Sequence, residues 1–293
     1  MSDGKQYSIG FVGVGRMGGA MARNLRAAGH RVTVFDPNPR AVEQCTKAGT
    51  AAAQSAADAV ADKEIVFTSV PMPHHLLDLY SGARSVTAKL AAGAVCVDVS
   101  TIDPTTARAV ADELAGHGIE FVACPVGKGP AQAEAGTIPL FTGGPRAVVD
   151  RLRPVLAAIG EPVHYLGAVE AATMFKLISN LVGMANLAAL AEGFQLAQRA
   201  GIPADAFDAA LRDTGAHSAQ VDMRLGFLAA DDHSNRFAVD LAAKDLRLAV
   251  DAAARWSQPI PVTSQALQQL VAASAAGWGG EDVTALVKAI RPK

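Results

Sequence analysis

The sequence predicts an α/β fold in which a doubly wound parallel sheet is followed by an all-helical domain, the two joined by one long helix. Three observations carry this. Val/Ile/Phe-rich runs alternate with helix-like segments through the first half of the 293 residues. The β signal stops near Tyr165. From Ala168 to Ala200 the chain then runs without a proline until Gly201-Ile202-Pro203, a stretch of about 45 Å if helical at 1.5 Å per residue. The expected domains are residues 1–166 and 167–293, with the long helix as the join and a ligand cleft between them.

The first strand, 7–12, meets Gly13-Val14-Gly15-Arg16-Met17-Gly18, a helix follows over 17–28, and a second strand over 31–35 ends in Asp36. This is a βαβ unit with a G-x-G-x-x-G turn, the signature of a Rossmann-type dinucleotide site. Gly13 permits the tight turn, Gly15 lets a pyrophosphate approach the backbone, and Gly18 lets helix and strand pack closely. Arg16 and Met17 open the helix, whose unpaired N–H groups attract phosphate. Asp36 suits a ribose 2′-OH and repels a 2′-phosphate, so NAD is expected in preference to NADP.

Strands follow at 64–69, 94–98, 119–123, 138–142 and 162–165, with helices at 39–48, 74–80, 104–116 and 145–158. Their apolar runs suit a sheet covered on both faces. Ligands of such a sheet lie beyond the carboxyl ends of its strands, which draws attention to three loops. Val70 and Pro71 follow the third main strand and are expected against the adenosine half of the cofactor, the alternative being a proline-stiffened loop. Ser100 and Thr101 precede a Pro104-led helix, where they serve as caps or face the nicotinamide and substrate. Gly127, Lys128 and Gly129 form either an anion clamp for a carboxylate, sulfonate or phosphate, or a solvated glycine loop. His74 and His75 are expected at the surface, since adjacent histidines do not converge on one metal.

Helices then fill 204–213, 217–229, 238–255, 262–275 and 280–290. On the long helix Lys176 and Asn180 lie four apart and share a face. A lysine among Ala, Leu and Met either snorkels to water or meets a polar cleft. Lys244, beside Asp245, poses the same question.

Composition narrows the function. Half the residues are hydrophobic, 18% are charged and the net charge is −2, so no basic field recruits nucleic acid or an anionic membrane. Three widely spaced cysteines, Cys45, Cys96 and Cys124, show no metal spacing and no disulfide framework, and fit a cytoplasmic protein. Met1 to Gln6 is short and polar, unlike a signal peptide, and the apolar stretch near 181–191 is expected to be a buried helix, not a membrane span.

Four motifs in order resemble the β-hydroxyacid dehydrogenase family, which includes 3-hydroxyisobutyrate dehydrogenases: Gly13 to Leu25, Asp98 to Pro104, the glycine loop from Pro125, and Lys176-Leu177 with Asn180, followed downstream by Lys244 to Leu246. The resemblance runs from Ile9 to about Arg291. It implies that Lys176 is the catalytic acid/base, that Asn180 holds substrate, that Thr101 and Lys244 approach nicotinamide and substrate, and that the helical domain builds a homodimer or homotetramer. It implies hydride exchange between NAD and a small anionic β-hydroxy acid or sulfonate. To take a proton near neutral pH, Lys176 must titrate below its ordinary value of about 10.4.

The chain departs from the family pattern in places. The usual D-A-P-V-S-G-G is Ala123-Cys124-Pro125-Val126-Gly127-Lys128-Gly129, similar to the version in sulfolactaldehyde reductases, where a cation at the Lys128 position grips a sulfonate. Glu170 and Ala172 replace a glycine pair, and Ser179 replaces the first residue of an Asn-Asn pair. Two alternatives stand beside this reading: imine reduction, whose enzymes usually carry Asp or Tyr in place of Lys176, and a catalytically silent cofactor-binding scaffold, which would have lost that lysine.

Overall fold

The structure, a computed structural model, describes residues 5–83 and 85–291; the extreme ends assigned from sequence to the two domains lie outside them. By compactness the chain divides into Met1–Lys176 and Leu177–Lys293. The first unit runs β1 (Ser8–Val12), α1 (Arg16–Ala27), β2 (Arg31–Phe35), α2 (Pro39–Thr46), β3 (Ala51–Ala52), α3 (Ala56–Val60), β4 (Ile65–Thr68), α4 (Pro73–Tyr80), β5 (Val95–Asp98), α5 (Pro104–Gly116), β6 (Glu120–Ala123), α6 (Pro130–Glu134), β7 (Leu140–Thr142), α7 (Arg146–Leu156) and β8 (Val163–Tyr165). Helix α8 (Val169–Arg199) begins in it and continues into the second unit.

Six strands pair in the order β3-β2-β1-β4-β5-β6, all parallel. Ile9 lies opposite Val32 on one side and Ile65 on the other. This doubly wound order reverses between β1 and β4, the place where such sheets bind ligands. Alternate residues serve opposite faces: Ile9, Phe11, Val95 and Val97 pack with Met21, Leu25 and Leu152, whereas Val12, Val66 and Cys96 pack with Leu76, Val110 and Leu114. Both faces are covered, hence the unbroken apolar strands. The rings of Phe11 and Phe67 stack with centroids 5.5 Å apart; fully burying a side chain of this size adds about 1.5–3 kcal/mol.

Two expected strands do not extend this sheet. Residues 138–142 and 162–165 supply β7 and β8, which form a separate parallel pair. The link after β6 holds the five-residue α6 and does not carry the chain into a parallel neighbour of β6. The chain instead returns antiparallel, with bridges Ala123↔Gly143 and Val126↔Leu140. Sequence reading also passed over β3, α3 and α6.

The second unit contains the rest of α8, then α9 (Ala204–Arg212), α10 (Ala219–Ala229), α11 (Val239–Arg255), α12 (Pro261–Ala273) and α13 (Leu286–Ile290). The helix expected over 280–290 is shorter: a 3-10 turn, Val283–Ala285, precedes α13. Helix α11 turns Val239, Ala242, Ala243, Leu246 and Ala249 into the core at helical spacing, with Leu187, Ala191 and Phe194 of α8 in the same cluster. Helix α8 is long and apolar enough to cross a membrane by length and composition alone; part of its apolar surface is buried in these core contacts. Arg224 and Asp282 form a buried ion pair at 2.7 Å, and Asp282 also accepts the Phe237 N–H at 2.9 Å, which compensates its charge.

Candidate active site

The glycine turn sits at the carboxyl end of β1, where the sheet order reverses. Gly13 has φ +87°, and a Cβ there would lie 2.1 Å from the Ser69 carbonyl oxygen, so both conformation and space demand glycine. A Cβ at Gly18 would meet the Gly13 carbonyl oxygen at 2.1 Å. Gly15 is different: a Cβ there meets nothing within 4 Å. The protein's own atoms do not require that glycine, and the open space over it fits a pyrophosphate approaching the backbone. Gly15 caps α1 with no side-chain hydrogen bond, and Arg16 beside it is exposed and Met17 half-buried. The residues present therefore fit a dinucleotide.

Asp36 has a second task that sequence reasoning missed. Its Oδ2 accepts the Val14 N–H at 2.8 Å and its Oδ1 accepts the Asn38 N–H at 2.8 Å. The carboxylate is thereby fixed beside the turn, and with about four lone-pair sites it retains capacity for ribose hydroxyls.

The ends of β4 and β5 carry a buried polar network. Asp98 Oδ1 accepts the hydroxyls of Thr68 and Ser100, each at 2.7 Å, and Ser100 Oγ accepts the Val70 N–H at 2.8 Å. Thr68, Asp98 and Ser100 are buried, Val70 and Thr101 half-buried, and Pro71 exposed. The helix cap is not Ser100 or Thr101 but Asp103, which accepts the Thr105 and Thr106 N–H groups at 3.0 Å. His74 and His75 are exposed, as expected.

In the glycine loop Gly127 is buried and donates its N–H to the Pro139 carbonyl at 2.9 Å. A Cβ there would lie 2.7 Å from Pro139 Cγ. The family's usual serine would set its Cβ against Pro139 here. Lys128 is exposed and holds φ +58°, a left-handed conformation rare outside glycine. Gly129 is half-buried, with only Gln132 Oε1 near its missing Cβ, at 3.8 Å.

On α8, Lys176 is 9% exposed; it does not snorkel to open water. Asn180 follows one turn later and donates from Nδ2 to Asp245 Oδ2 at 2.6 Å. Lys244 Nζ lies 2.8 Å from Asp245 Oδ1. Lys244 and Asp245 form an adjacent charge pair away from open water: the side chains are 12% and 5% exposed. Asp245 thus brings Asn180 and Lys244 together from two helices. Its position within the Lys-Asp-Leu triplet was the available signal.

Residues 8–167 match a family model described as the NAD binding domain of 6-phosphogluconate dehydrogenase. Residues 171–290 match one described as NAD-binding of NADP-dependent 3-hydroxyisobutyrate dehydrogenase. The chain is 32% identical to 2-(hydroxymethyl)glutarate dehydrogenase of Eubacterium barkeri, over 97% of this chain and 95% of that protein. It is 31% identical to 3-sulfolactaldehyde reductase of Escherichia coli K12, over 97% and 96% of the two lengths. Among solved structures, Mycobacterium tuberculosis 3-hydroxyisobutyrate dehydrogenase with L-serine superposes with a TM-score of 0.91 at 30% identity, covering 98% of this chain and all 100% of that one.

Proposed function

The chain belongs to the β-hydroxyacid dehydrogenase family and is an NAD(P)-dependent dehydrogenase of small hydroxy acids; on that premise we propose that it interconverts a β-hydroxy acid, or a sulfonate analogue, and its semialdehyde, with Lys176 as general acid/base. The observation that carries this is the burial of Lys176 on an otherwise apolar stretch of helix, one turn from an asparagine whose amide is oriented by a buried acid. When bound, the dinucleotide exchanges a hydride with the alcohol carbon. Lys176 takes the hydroxyl proton in the oxidative direction and returns it to the carbonyl oxygen in the reductive one. Asn180, oriented by Asp245, holds the substrate's polar end, Lys244 approaches nicotinamide and substrate, and Lys128 with the Gly129 amide grips the anionic tail; the Gly127 amide, expected to share in this, is spent on the Pro139 carbonyl.

Asp36, pinned by two backbone donors, favours NAD⁺ over NADP⁺. The exposed Phe175, Ile178 and Val182 on α8 fit a subunit interface of a homodimer or homotetramer, and the three buried free thiols fit the cytoplasm.

The test is a screen of NAD⁺ and NADP⁺ reduction against small β-hydroxy acids, sulfonates included, followed by Lys176→Ala on the best substrate. Turnover should fall by about 10²-fold or more, the scale of lost acid–base catalysis, while NADH binding by fluorescence persists. Near-normal turnover in the variant removes the role given to Lys176.

A further inference from the structure

Ser100 sits where a substrate ligand would be sought, yet its hydroxyl is engaged inside the protein. The residue is 4% exposed. Its one proton goes to Asp98 Oδ1 at 2.7 Å, and one of its two lone pairs takes the Val70 N–H at 2.8 Å. The same carboxylate oxygen takes the Thr68 hydroxyl at 2.7 Å. Thr68 and Asp98 are buried at 0% and 1% exposure. Hydrogen bonds to a carboxylate are short and strong, and a network this far from water is held in one arrangement. The chain of contacts runs from β4 to β5 and back to the second residue of the loop leaving β4. What it fixes is a backbone amide, that of Val70, at the carboxyl edge of the sheet.

We propose that Thr68, Asp98 and Ser100 form a buried strap that positions the Val70–Pro71 loop for the dinucleotide, so that Ser100 governs cofactor affinity and is not a substrate ligand. A substrate group seeking a donor at Ser100 would have to displace Asp98, an acceptor already in place. The proposal rests on NAD binding at this sheet edge, which the family supplies, and not on the role of Lys176.

The experiment is NADH fluorescence titration of the wild-type protein, Ser100→Ala and Ser100→Thr, with amide hydrogen exchange of Val70 in the wild type. Ser100→Ala should raise the NADH Kd about three- to tenfold, the scale of one lost hydrogen bond. Ser100→Thr keeps the hydroxyl and should bind within about twofold of the wild type, by the same reasoning. The wild-type Val70 amide should exchange as slowly as those of β4. An unchanged Kd in Ser100→Ala overturns the strap. So does rapid exchange at Val70, a reading that holds even where the alanine variant does not fold. No turnover is measured, so neither result bears on Lys176.

Discussion

Lys128 holds a conformation that only glycine adopts without cost, in a loop where it is flanked by two glycines. Its φ is +58°, and a side chain in the left-handed region costs roughly 1–2 kcal/mol. The comparison that isolates this cost is Lys128→Gly against Lys128→Ala. Both remove the ammonium, so any charge effect cancels. The alanine keeps the strained backbone, whereas the glycine relieves it and gives back roughly 0.5–1 kcal/mol through the greater freedom of the unfolded chain. The glycine variant should therefore be the more stable of the two by about 0.5–1 kcal/mol, the difference between those magnitudes. That corresponds to a melting difference of about 1–4 °C in a unit of this size. An ordinary exposed site gives the opposite order, since alanine normally stabilises over glycine. Thermal and urea denaturation of the two variants measure it. An alanine variant more stable than the glycine variant by about 0.5–1 kcal/mol, the order of an unstrained site, would mean that Lys128 carries no strain, and the structural reason for assigning it a task would disappear. Both variants should raise the KM for anionic substrates roughly tenfold, the scale of a lost charge-assisted hydrogen bond. Strain retained at a loop that also binds would then have a function.

Gly127→Ser, which restores the family's usual residue, should destabilise the protein by about 1–3 kcal/mol because its Cβ meets Pro139; Pro139→Ala in the same chain should recover most of that in urea denaturation, and a fully stable single variant would show that the loop yields. The thiols should be silent in the native protein. Burial pushes Cys96 up to about 12 and raises Cys45 and Cys124, so all three stay protonated and inert at pH 8. A disulfide reagent should therefore label none before unfolding and three after, and labelling of the native protein would contradict their burial.

The parts of the fold legible in the sequence are those written locally. The β1–α1–β2 unit combines apolar strands, three glycines with separate mechanical tasks and a terminal acid within 28 residues, so each feature supports the others. Helix α8 announced itself by length and by the glycine and proline beyond it. The segments that misled are non-local. Residues 138–142 have the composition of a core strand, but which sheet a strand joins depends on non-local pairing: here the chain returns antiparallel on β6 and β7 pairs with β8. Strand β3 is Ala51-Ala52, a pair with little strand preference held only by backbone pairing to β2.

The site divides along the same line. Gly13, Gly15, Gly18 and Asp36 could be assigned because their tasks follow from backbone geometry in one motif. Asp98 and Asp245 could not, because what makes them important is what lies across from them: two strand-end hydroxyls for one, an amide and an ammonium for the other. Ser100 and Thr101 make the point most sharply. Inside a strand, adjacent side chains face opposite ways with a period of two, so the inward residue can be named from sequence. Strand β5 ends at Asp98, and two residues later that rule no longer holds. Of two adjacent hydroxyls of nearly identical chemistry, the buried one faces the acid, and it is Asp98, already committed to Thr68, that draws it inward.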